Sequence, residues 1–166
     1  MTRYFKKSMD CFIFAAILLL LPAAVSAESV GGISIGMPQT QVIALYGNPD
    51  YYNTGEQMYE SFWAPNSDTD YYIWKNGLAI HFENGLVKYV GFVRMDTIDR
   101  KFDNTGMGIY NAISDYYAVY RKGILSHNGD GGLSYQLYTD INGQYLWLYV
   151  NNKGHIMFAE INNYDS

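Results

Sequence analysis

The stretch from Tyr72 to Phe92 reads YIWKNGLAIHFENGLVKYVGF and holds two Asn-Gly pairs, each between runs in which apolar and polar residues alternate. Such alternation is typical of a strand that has one buried face. Asn-Gly tolerates the two positive φ angles of a type I′ turn, which joins antiparallel strands tightly. The stretch therefore predicts three antiparallel strands, joined by two-residue turns at Asn76-Gly77 and Asn84-Gly85.

A second stretch, Tyr135–Ile161, reads YQLYTDINGQYLWLYVNNKGHIMFAEI and repeats this organisation. Asn142-Gly143 takes the place of the first turn. Asn151–Gly154 takes the place of the second turn with one extra residue. The extra residue predicts a bulged three-residue loop with Gly154 in the left-handed conformation.

Each of these stretches follows a segment with helical periodicity. In IGMPQTQVIALYG (35–47), Val42 and Tyr46 belong to one apolar stripe. In TGMGIYNAISDYY (105–117), apolar residues recur at the same spacing, and Gly123 lies where that helix is expected to end. Each segment therefore predicts one amphipathic helix.

The two halves of the chain share sequence as well as this order of elements. A Gly-Met pair opens both helical segments, and LAIHF in the first half aligns with LWLYV in the second. Repetition of this kind indicates an internal duplication. We expect an α+β fold of two tandem helix-plus-antiparallel-meander units, 28–97 and 98–166, which form one compact domain. The units share one sheet with the helices on one of its faces.

The predicted turns fix the register of the strands and thereby assign each side chain to one face of the sheet. One face is expected to pack on the helices. Its predicted members are Ile73, Leu78, Ile80, Phe82, Val87, Tyr89, Tyr135, Leu137, Leu146, Leu148, Val150, Ile156 and Phe158.

The other face is expected to be free and to carry a stripe of aromatic side chains. Exposed Trp and Tyr are enriched at the centres of protein interfaces. The opposing interpretation is that cross-strand aromatic pairs only stabilise the sheet, by ~0.2–1 kcal/mol each. The candidate partner-binding residues on this face are Tyr72, Trp74, His81, Tyr138, Trp147, Tyr149 and Met157.

Residues 1–27 have the organisation of a secretory signal peptide. A basic segment precedes an apolar run from Cys11 to Val25, and cleavage is expected after Ala27. The protein is therefore expected to be exported to the periplasm, the cell envelope or the extracellular space, with no stable membrane anchor after cleavage. Cys11 is the only cysteine, so the mature chain would have neither disulfides nor thiolate ligands.

The charge of the chain bears on its partners. The net charge is −5 at pH 7, and the predicted signal peptide carries several of the basic residues. Nucleic acid does not suit such a surface, because phosphate binding requires a basic face. An acidic surface mostly favours solubility, and the expectation of a protein partner rests on the aromatic face.

Several polar groups have some features of metal or catalytic sites. His81 and His155 share a predicted face and suggest zinc, while His127–Gly132 with Asp140–Gly143 suggests a calcium loop. The spacing that either metal site requires is missing, so turns and unrelated strand residues are the favoured interpretation. We predict no catalytic, cofactor or metal residues. The residues considered for acid–base or triad chemistry are Asp68, Asp70, Asp96, Asp99, Asp103, Ser114, Asp115, Ser126 and His127.

The segment GISIGMPQTQVIALYGNPDYY, followed by YYIW and GLAIHFENGLVKYVGF, resembles the repeat unit of the β-lactamase inhibitory protein-like fold. The small outer-membrane assembly lipoproteins (SmpA/OmlA) have a similar single unit. Residues 31–93 match the pattern, and residues 102–161 match it loosely, without the Gly-x-Pro. The resemblance implies a concave, aromatic-rich sheet face that grips a protein partner. The chain departs from the inhibitors in having no disulfides, and from the lipoproteins in having no lipid-attachment cysteine after the signal.

These features lead to a functional hypothesis and two alternatives. The first is an exported, non-enzymatic module that binds a protein through the aromatic face, as an inhibitor or a scaffold does. The second is a structural factor in cell-envelope or outer-membrane assembly. The third is a carbohydrate-binding module or an unrecognised hydrolase, since sugars also stack on Trp and Tyr.

Overall fold

The computed structural model of the protein describes residues 28–53, 71–127, 131–139 and 143–163. Within these ranges the chain forms two helices and eight strands. In chain order the elements are α1 (Gln39–Tyr46), β1 (Tyr51–Asn53), β2 (Tyr71–Ile73), β3 (Leu78–Glu83), β4 (Leu86–Val93), α2 (Ile113–Val119), β5 (Arg121–His127), β6 (Leu133–Tyr138), β7 (Gln144–Val150) and β8 (Ile156–Asn163).

The strands form one antiparallel sheet in the order β1-β2-β3-β4-β8-β7-β6-β5. The strands of each half of the chain lie side by side as a meander, and the two meanders join where β4 pairs with β8. At this junction Val90 lies opposite Ile161, and Phe92 lies opposite Ala159. The prediction of an α+β fold built on one antiparallel sheet is confirmed.

Both helices pack against the same face of the sheet, which we call the helix-side face. Val42 of α1 and Tyr116 of α2 are fully buried in one apolar cluster with strand residues such as Leu78 and Leu146. The core residues predicted correctly for this face are Leu78, Ile80, Phe82, Val87, Tyr135, Leu137, Leu146, Leu148, Val150 and Ile156.

The helix ends follow from local chemistry. α1 ends at Gly47, whose φ of +75° suits a residue without a Cβ. At the start of α2, the Asp115 carboxylate accepts the backbone N–H of Ala112 at 3.0 Å. The prediction that Gly123 follows the end of this helix is wrong, because α2 runs directly into β5 and Gly123 lies within that strand. A Cβ at Gly123 would meet the carbonyl oxygen of Gln136, so glycine allows β5 to lie close to β6.

Two of the predicted turns have the expected geometry. Asn84 and Gly85 both have positive φ, of 52° and 76°, and they join strands in which Glu83 lies opposite Leu86. In the second half the Asn151 N–H donates to the His155 carbonyl at 2.9 Å, and Gly154 is left-handed with a φ of 78°. The two-residue turn and the bulged three-residue loop are therefore both confirmed.

The predicted two-residue turn at Asn76-Gly77 is wrong. Trp74 lies opposite Leu78, because the Trp74 N–H donates to the Leu78 carbonyl and the Gly77 N–H donates to the Trp74 carbonyl. The loop therefore has three residues, Lys75 to Gly77, and only Gly77 has positive φ. A change of one residue in register moves every side chain of β2 to the other face.

This register reverses three assignments in the first meander. Tyr72 and Trp74, which we predicted for the free face, both pack into the helix-side cluster. Ile73, which we predicted for the helix-side core, lies on the opposite face. Burial of Trp74 explains the register: its side chain is 2% exposed, and its indole N–H donates to the Gly47 carbonyl at 3.2 Å. An indole buried with its N–H paired stabilises the three-residue loop over the two-residue turn.

Two β-bulges account for the other differences. His81 pairs with Tyr89 while Phe82 pairs with Val87, so Lys88 is an extra residue in β4. In β8, Met157 is the extra residue, because Tyr149 pairs with Phe158 while Val150 pairs with Ile156. Each bulge shifts the following residues by one position. Tyr89 and Phe158 were predicted for the helix-side core, and both pack with the cluster on the opposite face.

The opposite side of the sheet carries a second apolar cluster, and we call it the aromatic face. Its buried members are Tyr71, Ile73, Ala79, Val93, Tyr149 and Phe158. Partly buried side chains that pack on them are Tyr51, Tyr89, Met95, Trp147 and Met157.

The segment before α1 is fixed to the second half of the chain through buried and exposed carboxylates. Glu28 is 3% exposed, and its carboxylate accepts hydrogen bonds from the Thr105 and Tyr120 hydroxyls at 2.5 and 2.7 Å. The Asp103 carboxylate accepts the backbone N–H groups of Gly31 and Gly32 at 2.9 and 2.8 Å. These contacts join residues that are more than seventy positions apart in the chain.

Candidate partner-binding face

The structure places five of the seven candidate residues on the aromatic face. The strand registers assign four of them to it: His81, Tyr138, Trp147 and Tyr149. Each is paired with a residue of this face on the neighbouring strand, or lies two positions from one on its own strand. Met157 occupies the bulge in β8 and packs against the same cluster. Tyr72 and Trp74 do not belong to this face, for the reason of register given above.

Aromatic rings run across this face from β2 to β7. The Tyr71 ring meets the Phe158 ring edge-on at a centroid distance of 5.6 Å. The Trp147 indole lies 5.8 Å from Phe158 and is stacked at 6.5 Å with Tyr149. His81 stacks on Tyr89 at 5.1 Å beside them. The face is therefore a continuous aromatic surface, to which both meanders contribute.

The residues of this surface form two layers. Tyr71, Tyr149 and Phe158 are at most 3% exposed and form the buried layer. The outer layer is partly exposed and consists of His81, Tyr89, Trp147 and Met157. The outer residues are the ones that a ligand would contact, and the buried rings fix their positions. Side chains held by packing lose less conformational entropy on binding than free ones do.

A hydrogen bond across the sheet shows that the sheet curves toward the aromatic face. The Tyr71 hydroxyl in β2 donates to the Glu160 carboxylate in β8 at 2.5 Å. Strands β3 and β4 lie between them, and Tyr71 is two residues along its strand from the row that contains Glu160, Gly91 and Ala79. On a flat sheet the two Cα atoms would therefore be ~16 Å apart, too far for these side chains to meet. Gly91 and Ala79, the next residues on the row of Glu160, are small and leave room for the bridge.

Gly91 also allows the two meanders to approach closely. A Cβ at Gly91 would lie 2.6 Å from the Glu160 Cα and would clash with the Ala159 carbonyl oxygen. Contacts this short with backbone atoms cannot be relieved by rotating a side chain. The two meanders are therefore in close backbone contact at the junction of β4 and β8, beside Glu160.

Glu160 is an ionisable group within this apolar surface. It is 5% exposed, and burial raises the pKa of Glu160 from its usual 4.5 to about 7, although hydrogen bonds from Tyr71 and Asn162 lower it. Burial and the neighbouring carboxylate raise the pKa of Tyr71 well above its usual value, so Tyr71 keeps its proton and acts as the donor.

Sequence reasoning missed both members of this pair. Glu160 is the one charged residue within the apolar run IMFAEI, and its neighbours Ala159 and Ile161 point to the helix-side core. A charged residue in such a strand indicates a buried polar partner, and that signal was in the sequence. The identity of the partner, Tyr71, depends on the curvature of the sheet.

The structure does not bring together the residues considered for metal sites. His81 stacks on the aromatic face, whereas His155 is an exposed turn residue just before β8. Across the described ranges, no three His, Cys, Asp or Glu side chains are grouped to hold a metal ion. The calcium-loop hypothesis falls partly on residues 128–130 and 140–142, which lie outside the described residues, as do Asp68 and Asp70.

The remaining acidic candidates have structural contacts. Asp99 forms an ion pair with Lys101 at 3.2 Å, and Asp115 caps α2. Partial burial tends to raise the pKa of Asp103, but hydrogen bonds from Ser29 and two glycine amides lower it below its usual value. Asp96 is exposed in a turn, Ser114 is exposed on α2, and Ser126 and His127 are exposed in β5.

No helix in the described ranges is long and apolar enough to cross a membrane. Comparisons with protein-family models, with curated proteins and with solved structures found no match.

Proposed function

We propose that the protein is an exported, non-enzymatic binding module that holds a protein partner on the concave aromatic face. The observation that carries this proposal is the two-layer arrangement, in which His81, Tyr89, Trp147 and Met157 are partly exposed above buried rings. Both helices pack on the other side of the sheet. Trp and Tyr held rigidly in a concavity are typical of the residues that dominate binding energy at protein interfaces.

We also propose that this face arose by duplication of a helix-plus-meander unit. The strand order supports the idea, because each half contributes four consecutive strands and the two last strands, β4 and β8, meet in the middle. The bulges support it further: Lys88 and Met157 both follow the first buried residue of the last strand in their half. The resemblance to the repeat unit of the inhibitor-like fold rests on the same elements and remains a proposal.

Partner capture with matched variants tests the proposed function. The tagged protein is incubated with envelope extract, and retained proteins are compared among the parent, Trp147→Ala and Leu45→Ala. Leu45 is the control because it is 59% exposed on α1, away from the aromatic face. We expect a soluble partner that Leu45→Ala retains and Trp147→Ala loses. Equal capture by all three proteins would exclude the aromatic face as the binding surface.

Partner capture and a glycan array together separate the alternatives. Co-purification with a membrane complex, unaffected by Trp147→Ala, favours the role in envelope assembly. Binding to a glycan array that is lost in Trp147→Ala favours the carbohydrate-binding module, because sugars also use an exposed indole. Capture of a single soluble protein that is lost in Trp147→Ala favours the proposed protein-binding module.

A further inference from the structure

Strand β5 forms one end of the sheet and is exposed along its whole length. All seven residues from Arg121 to His127 are exposed, and in the described part of the chain β5 pairs only with β6. Ile124 and Leu125 are 58% and 50% exposed, and Val119, the last residue of α2, is 45% exposed. An edge strand of this length presents backbone N–H and C=O groups along one side, which is a template for another strand.

Among the described residues, the strand at the other end of the sheet is shorter than β5. β1 has three residues, Tyr51–Asn53, whereas β5 has seven. The bulge in β5 places Gly123 and Ile124 between the paired residues Lys122 and Leu125. The absence of a Cβ at Gly123 lets this part of β5 lie directly against the backbone of β6. The edge is therefore anchored in position as well as exposed.

The charge of β5 indicates which kind of strand would fit. β5 contains Arg121 and Lys122 and no acidic residue, in a chain whose net charge is −5. The Lys122 ammonium lies 4.4 Å from the centre of the Tyr117 ring, which orients it on the helix-side face beside Leu125. A second copy of β5 would offer no carboxylate to Arg121 and Lys122, because β5 contains no acidic residue, so pairing between two copies gains no ion pair.

We propose that the β5 edge binds an extended segment of another protein by β-strand addition, and that this segment carries apolar and acidic side chains. Main-chain hydrogen bonds extend the sheet by one strand. Apolar side chains of the segment cover Leu125 and Val119, and its carboxylates lie near Lys122 and Arg121. This surface is distinct from the aromatic face, and the proposal does not depend on the proposed function.

A synthetic peptide tests this proposal without knowledge of the natural partner. The probe is a blocked peptide of alternating Val and Glu, titrated into the full protein while amide hydrogen exchange is followed along the chain. We expect slower exchange at β5 amides on addition of the peptide. Two control peptides have Lys in place of Glu, or carry N-methyl groups on alternate residues with the side chains unchanged. N-methylation removes the donors for strand pairing, so that peptide should not bind.

Two protein variants test the charge argument. Lys122→Glu should weaken binding of the Val-Glu peptide by about two- to fivefold, the effect typical of one exposed ion pair, and should strengthen binding of the Val-Lys peptide. Lys153→Glu is the matched control, because Lys153 is exposed in the turn before β8, and it should leave binding of both peptides unchanged. Far-ultraviolet circular dichroism and thermal unfolding confirm that each variant is folded.

Four outcomes would overturn the proposal. The first is no binding of the Val-Glu peptide, and the second is equal binding of the N-methylated peptide. The third is exchange protection confined to strands other than β5. The fourth is a dimer by light scattering in which β5 amides are already protected without peptide, which would assign this edge to a second copy of the chain.

Discussion

The pair of Glu160 and Tyr71 determines the polarity at the centre of the aromatic face. A carboxylate in an apolar face is costly unless its oxygens accept hydrogen bonds, and Tyr71 and Asn162 supply them. The pKa of Glu160 is about 7 in the folded protein, so the carboxyl group changes its charge near neutral pH. The centre of the aromatic face is therefore more polar at pH 8 than at pH 6.

This titration predicts a pH dependence of stability. Between pH 4.5 and about 7 the folded protein keeps a proton on Glu160 that the unfolded chain, at its usual pKa, has lost. The free energy of unfolding should therefore fall as the pH rises through this range, by about 3 kcal/mol in total. Urea unfolding at pH 4.5, 5.5, 6.5 and 7.5 measures the change. In Glu160→Gln the dependence should be much flatter, and an equally steep curve would contradict the assignment.

Trp147, Leu148 and Trp74 make a second test at the scale of single residues. Leu148 is fully buried on the helix-side face, so Leu148→Ala should lower the free energy of unfolding by ~2–5 kcal/mol. Trp74 is 2% exposed in the same core, and Trp74→Ala should cost ~3–5 kcal/mol. Trp147 is partly exposed on the aromatic face, so Trp147→Ala should cost less than either. Thermal and urea unfolding of the three variants would contradict this order if Trp147→Ala were the most damaging.

At the scale of strands and turns, sequence predicted the elements better than their registers. Asn84-Gly85 and Gly154 were predicted correctly because the need for positive φ is local. The loop at Asn76-Gly77 was not, because its length depends on burial of Trp74 against Gly47, a contact between distant parts of the chain. The pattern of apolar and polar residues could not reveal the wrong register of β2, since this strand has apolar or aromatic residues on both faces.

The prediction of which residues lie on the aromatic face also depended on the strand registers. His81, Trp147 and Tyr149 were placed on the correct face because β3 and β7 end at turns, Asn84-Gly85 and the loop that contains Gly154, whose geometry the sequence specifies. Tyr89 and Phe158 were not, because each follows a bulge, and neither Lys88 nor Met157 has a local feature that marks it as an extra residue. Bulges of this kind are determined by packing between neighbouring strands.

The junction of β4 and β8 supports a prediction at the scale of elements. Replacing a strand glycine by alanine normally stabilises a protein by ~0.5–1 kcal/mol. Gly91→Ala should have the opposite effect and destabilise by ~1–3 kcal/mol, because the added methyl group would clash with Ala159 and Glu160 backbone atoms. Hydrogen exchange should accelerate at amides of both strands. A neutral or stabilising effect would show that the two meanders are not held this closely.

At the scale of the whole molecule, several contacts among the described residues join the two halves of the chain. One is the β4–β8 junction, and another is the N-terminal segment, where Glu28 accepts hydrogen bonds from Thr105 and Tyr120 beside α2. Glu28 is the first residue after the predicted cleavage site, so the start of the expected mature chain contributes to the fold of its second half.

This contact gives a prediction for the whole molecule. Glu28→Ala leaves the Tyr120 hydroxyl and its neighbours without their acceptor in a buried environment, which should cost ~1–3 kcal/mol. Ser29→Ala is the matched control, because it removes only an exposed hydrogen bond to Asp103, at 2.6 Å. Urea unfolding should show a clear loss for Glu28→Ala and a small one for Ser29→Ala. Equal values would mean that the buried carboxylate contributes nothing specific.

The central claim is that the concave aromatic face is exposed in the free protein and is covered by a protein partner in the complex. Oxidative footprinting by mass spectrometry tests it directly, because Trp, Met, Tyr and His side chains react with hydroxyl radicals when solvent reaches them. We expect Trp147, Met157, His81 and Tyr89 to be oxidised in the free protein and protected in the complex with a captured partner, while the buried Phe158 stays unmodified in both. Protection of the outer residues in the free protein, or equal oxidation with and without the partner, would contradict the claim.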